Sequence, residues 1–278
     1  AIGILKSNGG KIMDYEGVSK VGRRIPWMVA IPTTYGSGSE VTSFAVITDR
    51  ARKFKAAIGS LLIIPDLALV DPELMVALPH HIAASVGLDA LCHAVESYCS
   101  KIATPFSEML ALKAIRLISE NIRRAVESDS DIEATFNMAI SSTMAGMAFS
   151  LSRLGLVHAM SHPLGGLYDI PHGVANALLL PYVMEYNAQA TPDKYADIAE
   201  VMGIGVKNMS NSEAASKVVQ KVAFLRDSFA VPSKLSSLGI RKEDIPRMAA
   251  DTMKSGNVKV NPRETNLKDI IALYEKAF

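Results

Sequence analysis

Three of the six histidines in this 278-residue chain fall within 15 residues, in the stretch GLVHAMSHPLGGLYDIPHG at 155–173. His158 and His162 stand four apart in an apolar run, and His172 lies between a proline and a glycine just before a new helical pattern. A fourth, His93, belongs to ASVGLDALCHAVESYCS. There Asp89, His93 and Glu96 are spaced i, i+4 and i+7, one helical face among Val86, Leu88, Leu91 and Val95. A carboxylate in such surroundings must be paired, hydrogen-bonded or bound to a cation, because burying it alone costs several kcal/mol. Two readings compete. In one, His93 is a core histidine ion-paired with Asp89. In the other, one Asp and three imidazoles gather around a divalent borderline metal such as Fe(II), Zn or Co, which that donor set suits. The His158/His162 pair lacks a glutamate beside its first histidine, so it does not match the HExxH pattern of zinc proteases. His80 and His81 follow Pro79 and are expected on a solvated helix start.

A further candidate is the loop PTTYGSGSEVTS, residues 32–43. Small and hydroxyl-bearing residues after a strand let backbone N–H groups approach a phosphate or ribose, although an ordinary connection reads the same way. Lys55, in the following hairpin, is either a phosphate partner or an exposed lysine.

The elements that must position these groups differ in texture along the chain. Residues 1–70 read as part of an α/β domain, with short strands in PWMVAIPTT, SFAVITD, FKAAIG and DLALVD and a hairpin turn at Asp49–Arg52. Residues 71–278 read as one all-helical domain. DPELMVALP opens with an N-cap Asp and a Pro, and Thr104-Pro105 and Thr191-Pro192 repeat that device. Helices are also expected over 132–150, 173–188, 212–229, 243–254 and 266–277, with Pro163 and Gly165-Gly166 breaking the helix that carries His158 and His162. AIGILKSNGG reads as the last turns of a helix stopped by a glycine pair, which predicts chain upstream of residue 1.

Composition narrows the function classes. Apolar residues make up 49%, charged residues 21%, and the net charge is +1. No basic stripe with interleaved aromatics points to nucleic acid, and no apolar run approaches the ~20 residues of a membrane span. Cys92 and Cys99, seven apart on one helix, are held roughly 10 Å from each other, too far for a disulfide. A reducing, cytoplasmic setting is the expectation that follows.

GLDALCHAVESYCS together with GLVHAMSHPLGGLYDIPHGVANALLLP closely resembles the two signature segments of the iron-containing (group III) alcohol dehydrogenases. IPTTYGSGSEVTSFAVITD resembles their nicotinamide-cofactor loop, and NPRETNLKDIIALYEKAF their C-terminal end. The resemblance implies a dehydroquinate synthase-like, iron-type alcohol dehydrogenase architecture. It implies Asp89, His93, His158 and His172 as metal ligands, with His162 beside them assisting proton transfer. Thr33, Thr34, Ser37, Val46 and Lys55 are implied as contacts to NAD(H) or NADP(H). The implied reaction interconverts a small primary alcohol or diol and its aldehyde, with Fe(2+) as Lewis acid or zinc in its place, in a homodimer or higher homo-oligomer. Met160, Leu164 and Leu167 are expected to line the pocket for a short aliphatic substrate. His93 favours the iron type, since the related glycerol dehydrogenases lack a histidine four after the Asp.

One departure qualifies this. Family members carry a GGGS-type pyrophosphate loop ahead of the helix that AIGIL ends, and it is absent here. The expectation is a metal-loaded chain poor in cofactor, with an early segment whose sheet edge and apolar surface invite pairing with another chain. The alternatives are a non-catalytic metal-binding helical fragment and a zinc-dependent polyol dehydrogenase.

Overall fold

The glycine pair that closes AIGILKSNGG does what its chemistry suggests. Helix α1 (Ile2–Asn8) ends at Gly9 and Gly10, both at positive φ (76° and 67°). In this computed structural model, which describes residues 1–278, five short strands follow: β1 (Gly17–Val18), β2 (Val29–Ala30), β3 (Phe44–Asp49), β4 (Phe54–Gly59) and β5 (Leu67–Ala68). β3 and β4 form the expected hairpin, in antiparallel register with Val46 opposite Ala57 and Asp49 opposite Phe54. Its turn is held by the Asp49 carboxylate, which accepts from the N–H groups of Ala51 and Arg52. β1 pairs parallel with β4, and β2 pairs parallel with β5. Only two residues of PWMVAIPTT and two of DLALVD are strand, shorter than expected, because Pro32 and Pro65 flank the pairing and lack a donor.

The helical part is α2 (His80–Cys99), α3 (Pro105–Glu127), α4 (Ile132–Ser152), α5 (Leu156–Tyr168), α6 (His172–Ala188), α7 (Pro192–Val201), α8 (Asn211–Ser228), α9 (Ile245–Thr252) and α10 (Leu267–Lys276). Three of the helices begin with reciprocal side-chain caps, the expected one at Thr104 among them. Thr104 and Ser107 cap each other at the head of α3, Ser210 and Glu213 at α8, and Asn266 and Asp269 at α10. None of these helices is long and apolar enough to cross a membrane. Cys92 and Cys99 are buried free thiols.

Three expectations are corrected. DPELMVALP does not open an α-helix: Asp71 caps a single 3-10 turn at Pro72–Leu74, and Pro79 stops any continuation before α2 begins. Thr191 precedes α7, but its hydroxyl caps nothing. Pro163 and the glycines do not break α5, which runs on to Tyr168 and stops at Asp169 in the left-handed conformation. The glycines serve proximity instead. A Cβ on Gly165 would lie 2.5 Å from Lys55 Cε, and one on Gly166 2.5 Å from the Lys53 carbonyl oxygen. They let α5 rest against the β3–β4 hairpin, which closes the site from one side.

One apolar core of 56 buried residues joins α2 to nearly every other helix, from Leu88 and Leu91 through Ile115, Ile118 and Met138 to Leu178 and Tyr274. Fully burying such side chains contributes roughly 1.5–3 kcal/mol each. A second cluster of five (Ile4, Val21, Ile25, Ile58 and Ile63) sits under the early strands.

Candidate metal centre

Helix α2 is apolar on nearly all sides, and its polar exceptions are the informative residues. Asp89, His93 and Glu96 are each 5% exposed or less. α5 crosses beside it and delivers His158, and α6 begins with His172. One carboxylate oxygen of Asp89 and one ring nitrogen from each of His93, His158 and His172 all lie within 4.8 Å of one another. These four candidate ligands are thus brought together from three helices. His93 Nε2 and His158 Nε2 are each 3.9 Å from Asp89 Oδ1.

The outer nitrogens explain which atoms face inward. His93 Nδ1 is 3.0 Å from the Gly36 carbonyl oxygen and donates to it, so Nε2 keeps its lone pair. That contact needs a glycine, since a Cβ on Gly36 would sit 2.7 Å from Val86 Cβ and push the loop off α2. His158 Nδ1 lies 2.6 Å from Glu96 Oε2, which fixes the same tautomer. Glu96 is itself held by the N–H groups of Gly155 and Val157, at 2.9 and 2.5 Å. Burial pushes the Glu96 carboxyl up to about 7 against the pull of those donors.

Whether a cation fits is decided by counting lone pairs. The inward atoms are Asp89 Oδ1 and three imidazole nitrogens. Those of His93 and His158 are fixed as acceptors by their outer partners. That of His172 is read as one because the Asn176 amide points its N–H groups at it, its own Nδ1 being buried without a partner. The one donor among them is Asn176 Nδ2, at 2.6 Å from Asp89 Oδ1, 3.0 Å from His158 Nε2 and 3.1 Å from His172 Nε2. An amide has two hydrogens for three acceptors, and His93 Nε2 receives none. Buried acceptors in surplus, one of them anionic, are what a divalent cation satisfies, and one Asp with three neutral imidazoles leaves it electrophilic. Burial holds the His158 imidazole well below its ordinary value and that of His172 down to about 3, so both are neutral donors near pH 7. Burial works to raise the Asp89 carboxyl, but the three imidazoles and the Asn176 amide outweigh it and keep the group below the usual carboxylate range.

Asp89, His93, His158 and His172 form the floor of a cavity of about 550 Å³ between the helices and the β3–β4 hairpin. His162, one turn after His158, lines the same cavity outside the four-donor set, its ring 5.9 Å from that of His172. Burial, with help from His172 and Lys55, holds its imidazole down to about 3. Ser37, Val46 and Lys55 also line the cavity, whereas Thr33 and Thr34 lie outside its lining. Lys55 is half-buried, and desolvation lowers its ammonium against the attraction of Asp89 and Asp169. Met160 and Leu164 do not line it, contrary to expectation. They point into the core, each 0% exposed, because they fall on the opposite side of α5 from His158 and His162. Leu167 is likewise absent from the lining and packs against the large core. Phe149, Leu154, Ala159 and Pro163 are the apolar lining near the four donors. His80 and His81 are exposed at the start of α2, as expected.

Sequence reasoning places Glu96 on the Asp89 face without giving it a role, and it misses Gly36 and Asn176. The signals exist: a third polar residue at i+7, and an Asn four after His172 in an otherwise apolar helix.

The chain matches two family models, "Iron-containing alcohol dehydrogenase" over residues 1–72 and "Fe-containing alcohol dehydrogenase family, C-terminal" over 83–278. It is 44% identical over 277 residues to a 1,3-propanediol dehydrogenase of Klebsiella pneumoniae, covering all of this chain and 72% of that protein. It is 41% identical to an NAD-dependent methanol dehydrogenase of Bacillus methanolicus, covering all of this chain and 73% of that one. Its fold superposes on a crystal structure of a 1,3-propanediol oxidoreductase with a TM-score of 0.96 at 44% identity, over all of this chain and 72% of that chain.

Proposed function

The chain belongs to the iron-containing alcohol dehydrogenase family, a family of metal-dependent oxidoreductases, and from that premise we propose that it is an iron- and NAD(P)-dependent dehydrogenase of a short primary alcohol or diol. The observation that carries this reading is the surplus of buried acceptors on Asp89, His93, His158 and His172 at the floor of a cavity roofed by the β3–β4 hairpin. A divalent iron held by those four residues would supply a Lewis acid that stabilises negative charge on an alcohol oxygen.

The chain's own residues do the rest. Glu96 and the Gly36 carbonyl hold two imidazoles in the tautomer that leaves Nε2 free. His162, beside the four donors and lining the same cavity, is placed to help move the hydroxyl proton at a ring nitrogen. Phe149, Leu154, Ala159 and Pro163 would shield the reacting carbon from water when substrate and a nicotinamide are bound. Val46 and Lys55 on the hairpin, with Ser37 in the loop before it, would hold a nicotinamide cofactor. The names of the relatives, which include a propanediol and a methanol enzyme, support a short-chain substrate.

Elemental analysis of anaerobically purified protein, paired with NADH oxidation by 3-hydroxypropanal, tests the proposal. One equivalent of iron with turnover is expected. Zinc as the native metal, or a metal-loaded protein that leaves NADH unoxidised, would overturn it.

A further inference from the structure

Arg153 ends helix α4 with φ 61° and ψ 178°. That region of backbone space is essentially reserved for glycine, and a side chain there is strained. The conformation is imposed from outside. The Arg153 N–H donates to the Phe149 carbonyl at 2.7 Å, and the preceding Ser152 carbonyl accepts from Ser100 Oγ at 2.6 Å. Ser152 Oγ meets Ser97 Oγ at 2.7 Å, and two residues on, the Gly155 N–H is taken by Glu96. Ser97 and Glu96 project from α2 and Ser100 directly follows it, so the helix that carries Asp89 and His93 also dictates this turn. Glycine would satisfy it freely. The chain carries an arginine.

The guanidinium has no carboxylate partner and donates no hydrogen bond to the protein, yet it lines the cavity that contains the four donors. It lies toward Gly256, where a Cβ would sit 3.7 Å from its Nη1. The acidic groups sharing the wall are already engaged: Asp251 pairs with Lys254 at 2.6 Å, and Glu16 with Arg52 at 2.6 Å. Phe149, one helical turn before Arg153, places its ring 4.8 Å from that of His93. A ligand with one end at the four donors and its chain along Phe149 therefore runs toward Arg153, whose backbone stands roughly 6 Å further along the helix axis.

We propose that Arg153 is a specificity-determining residue that binds an anionic group, such as a carboxylate, at the far end of the substrate from the reacting carbon. The inference rests on the dehydrogenase reading above and sharpens it: among short aldehydes, those with a terminal acid are favoured over plain aliphatic ones. Arginine suits the task because its planar fork can hold a carboxylate with two parallel hydrogen bonds. An unanswered cation in a cavity, kept at the expense of backbone strain, has a use for both features.

The test compares succinic semialdehyde with butanal as NADH-linked substrates in the wild type, R153G, R153A and R153K. R153G is the fold-safe variant, because glycine accepts the imposed backbone conformation. The kcat/KM ratio of the acid to the plain aldehyde is expected to fall about 30-fold in R153G and R153A, through KM for the acid, with an intermediate fall in R153K. The Tm of R153G is expected to rise, which a merely structural arginine would not produce. An unchanged ratio, or an equal loss for both aldehydes, overturns the proposal while leaving the dehydrogenase reading in place. A raised KM for NADH with the ratio unchanged overturns it in favour of a cofactor phosphate. If neither four-carbon aldehyde is turned over, the dehydrogenase reading is judged on 3-hydroxypropanal as above. Calorimetric titration with succinate then decides alone: binding to wild type that R153G loses supports the anion site, and equal or absent binding overturns it.

Discussion

The two ends of the cavity are built on unequal foundations. The four candidate ligands stand on α2, α5 and α6, rooted in a core of 56 buried residues, and every one of α2's last 13 residues is buried. The opposite wall is a two-stranded hairpin supported by a cluster of five. A metal site tolerates little movement of its donors, whereas a wall that admits a cofactor and substrate must give. The difference predicts a rigid floor and a compliant roof.

Removing floor residues should have the largest effect. His158→Ala and His172→Ala each delete one donor from a set of four, and both are expected to purify without metal. His162→Ala should keep its metal and lose turnover, because that ring lies outside the set. Metal content by elemental analysis checks both halves, and a metal-free His162 variant beside a fully loaded His158 variant would reverse the roles assigned here. Glu96→Gln comes next. The substitution keeps the shape but removes the anion that orients His158, and metal affinity should fall about 10–100-fold, read by competition with a chelator.

Most of this floor is legible in the sequence, because helical spacing is a strong signal. Asp89 and His93 at i, i+4, and His158 with His162, fall on shared faces by their spacing alone. Spacing does not say which apolar partner each face meets. Met160 and Leu164 look like pocket residues in a string of letters, but the 3.6-residue period turns them away from His158 into the core. Gly165 and Gly166 look like a helix stop, and they are instead the clearance for the hairpin. Gly36 reaches His93 across 57 residues of sequence, a pairing no local pattern encodes. Long-range contacts of that kind set the roof, which makes it the less legible half.

Two core truncations would break or sharpen the contrast directly. Ile118→Ala, on α3 within the large core, should cost about 2–5 kcal/mol and lower the global unfolding transition. Ile58→Ala removes a fully buried side chain of β4 from the small cluster. It is expected to loosen residues 1–70 locally, with faster amide exchange there, while the helical core keeps its protection. Equal loss of protection in both regions after Ile58→Ala would mean that the roof and floor open as one unit.

The smallest expected effect is a thiol that does nothing. Cys99 closes α2 with 3% exposure, and burial pushes its thiol up to about 12, opposed only in part by Lys194. A thiol with that value is protonated throughout the range from about pH 7 to 9, and the thiolate is the reactive species. Cys92, buried beside His158, is pushed well up for the same reason. A disulfide-exchange reagent should therefore find no reactive cysteine in the native protein at about pH 8, and both after denaturation. Carried out on Ile58→Ala, the experiment reports on the floor alone, since both thiols belong to α2. If the roof is the compliant half, labelling stays at zero while amide exchange in residues 1–70 accelerates. Labelling that rose in step with that exchange would show α2 opening together with the hairpin, and the division into a rigid floor and a yielding roof would fall.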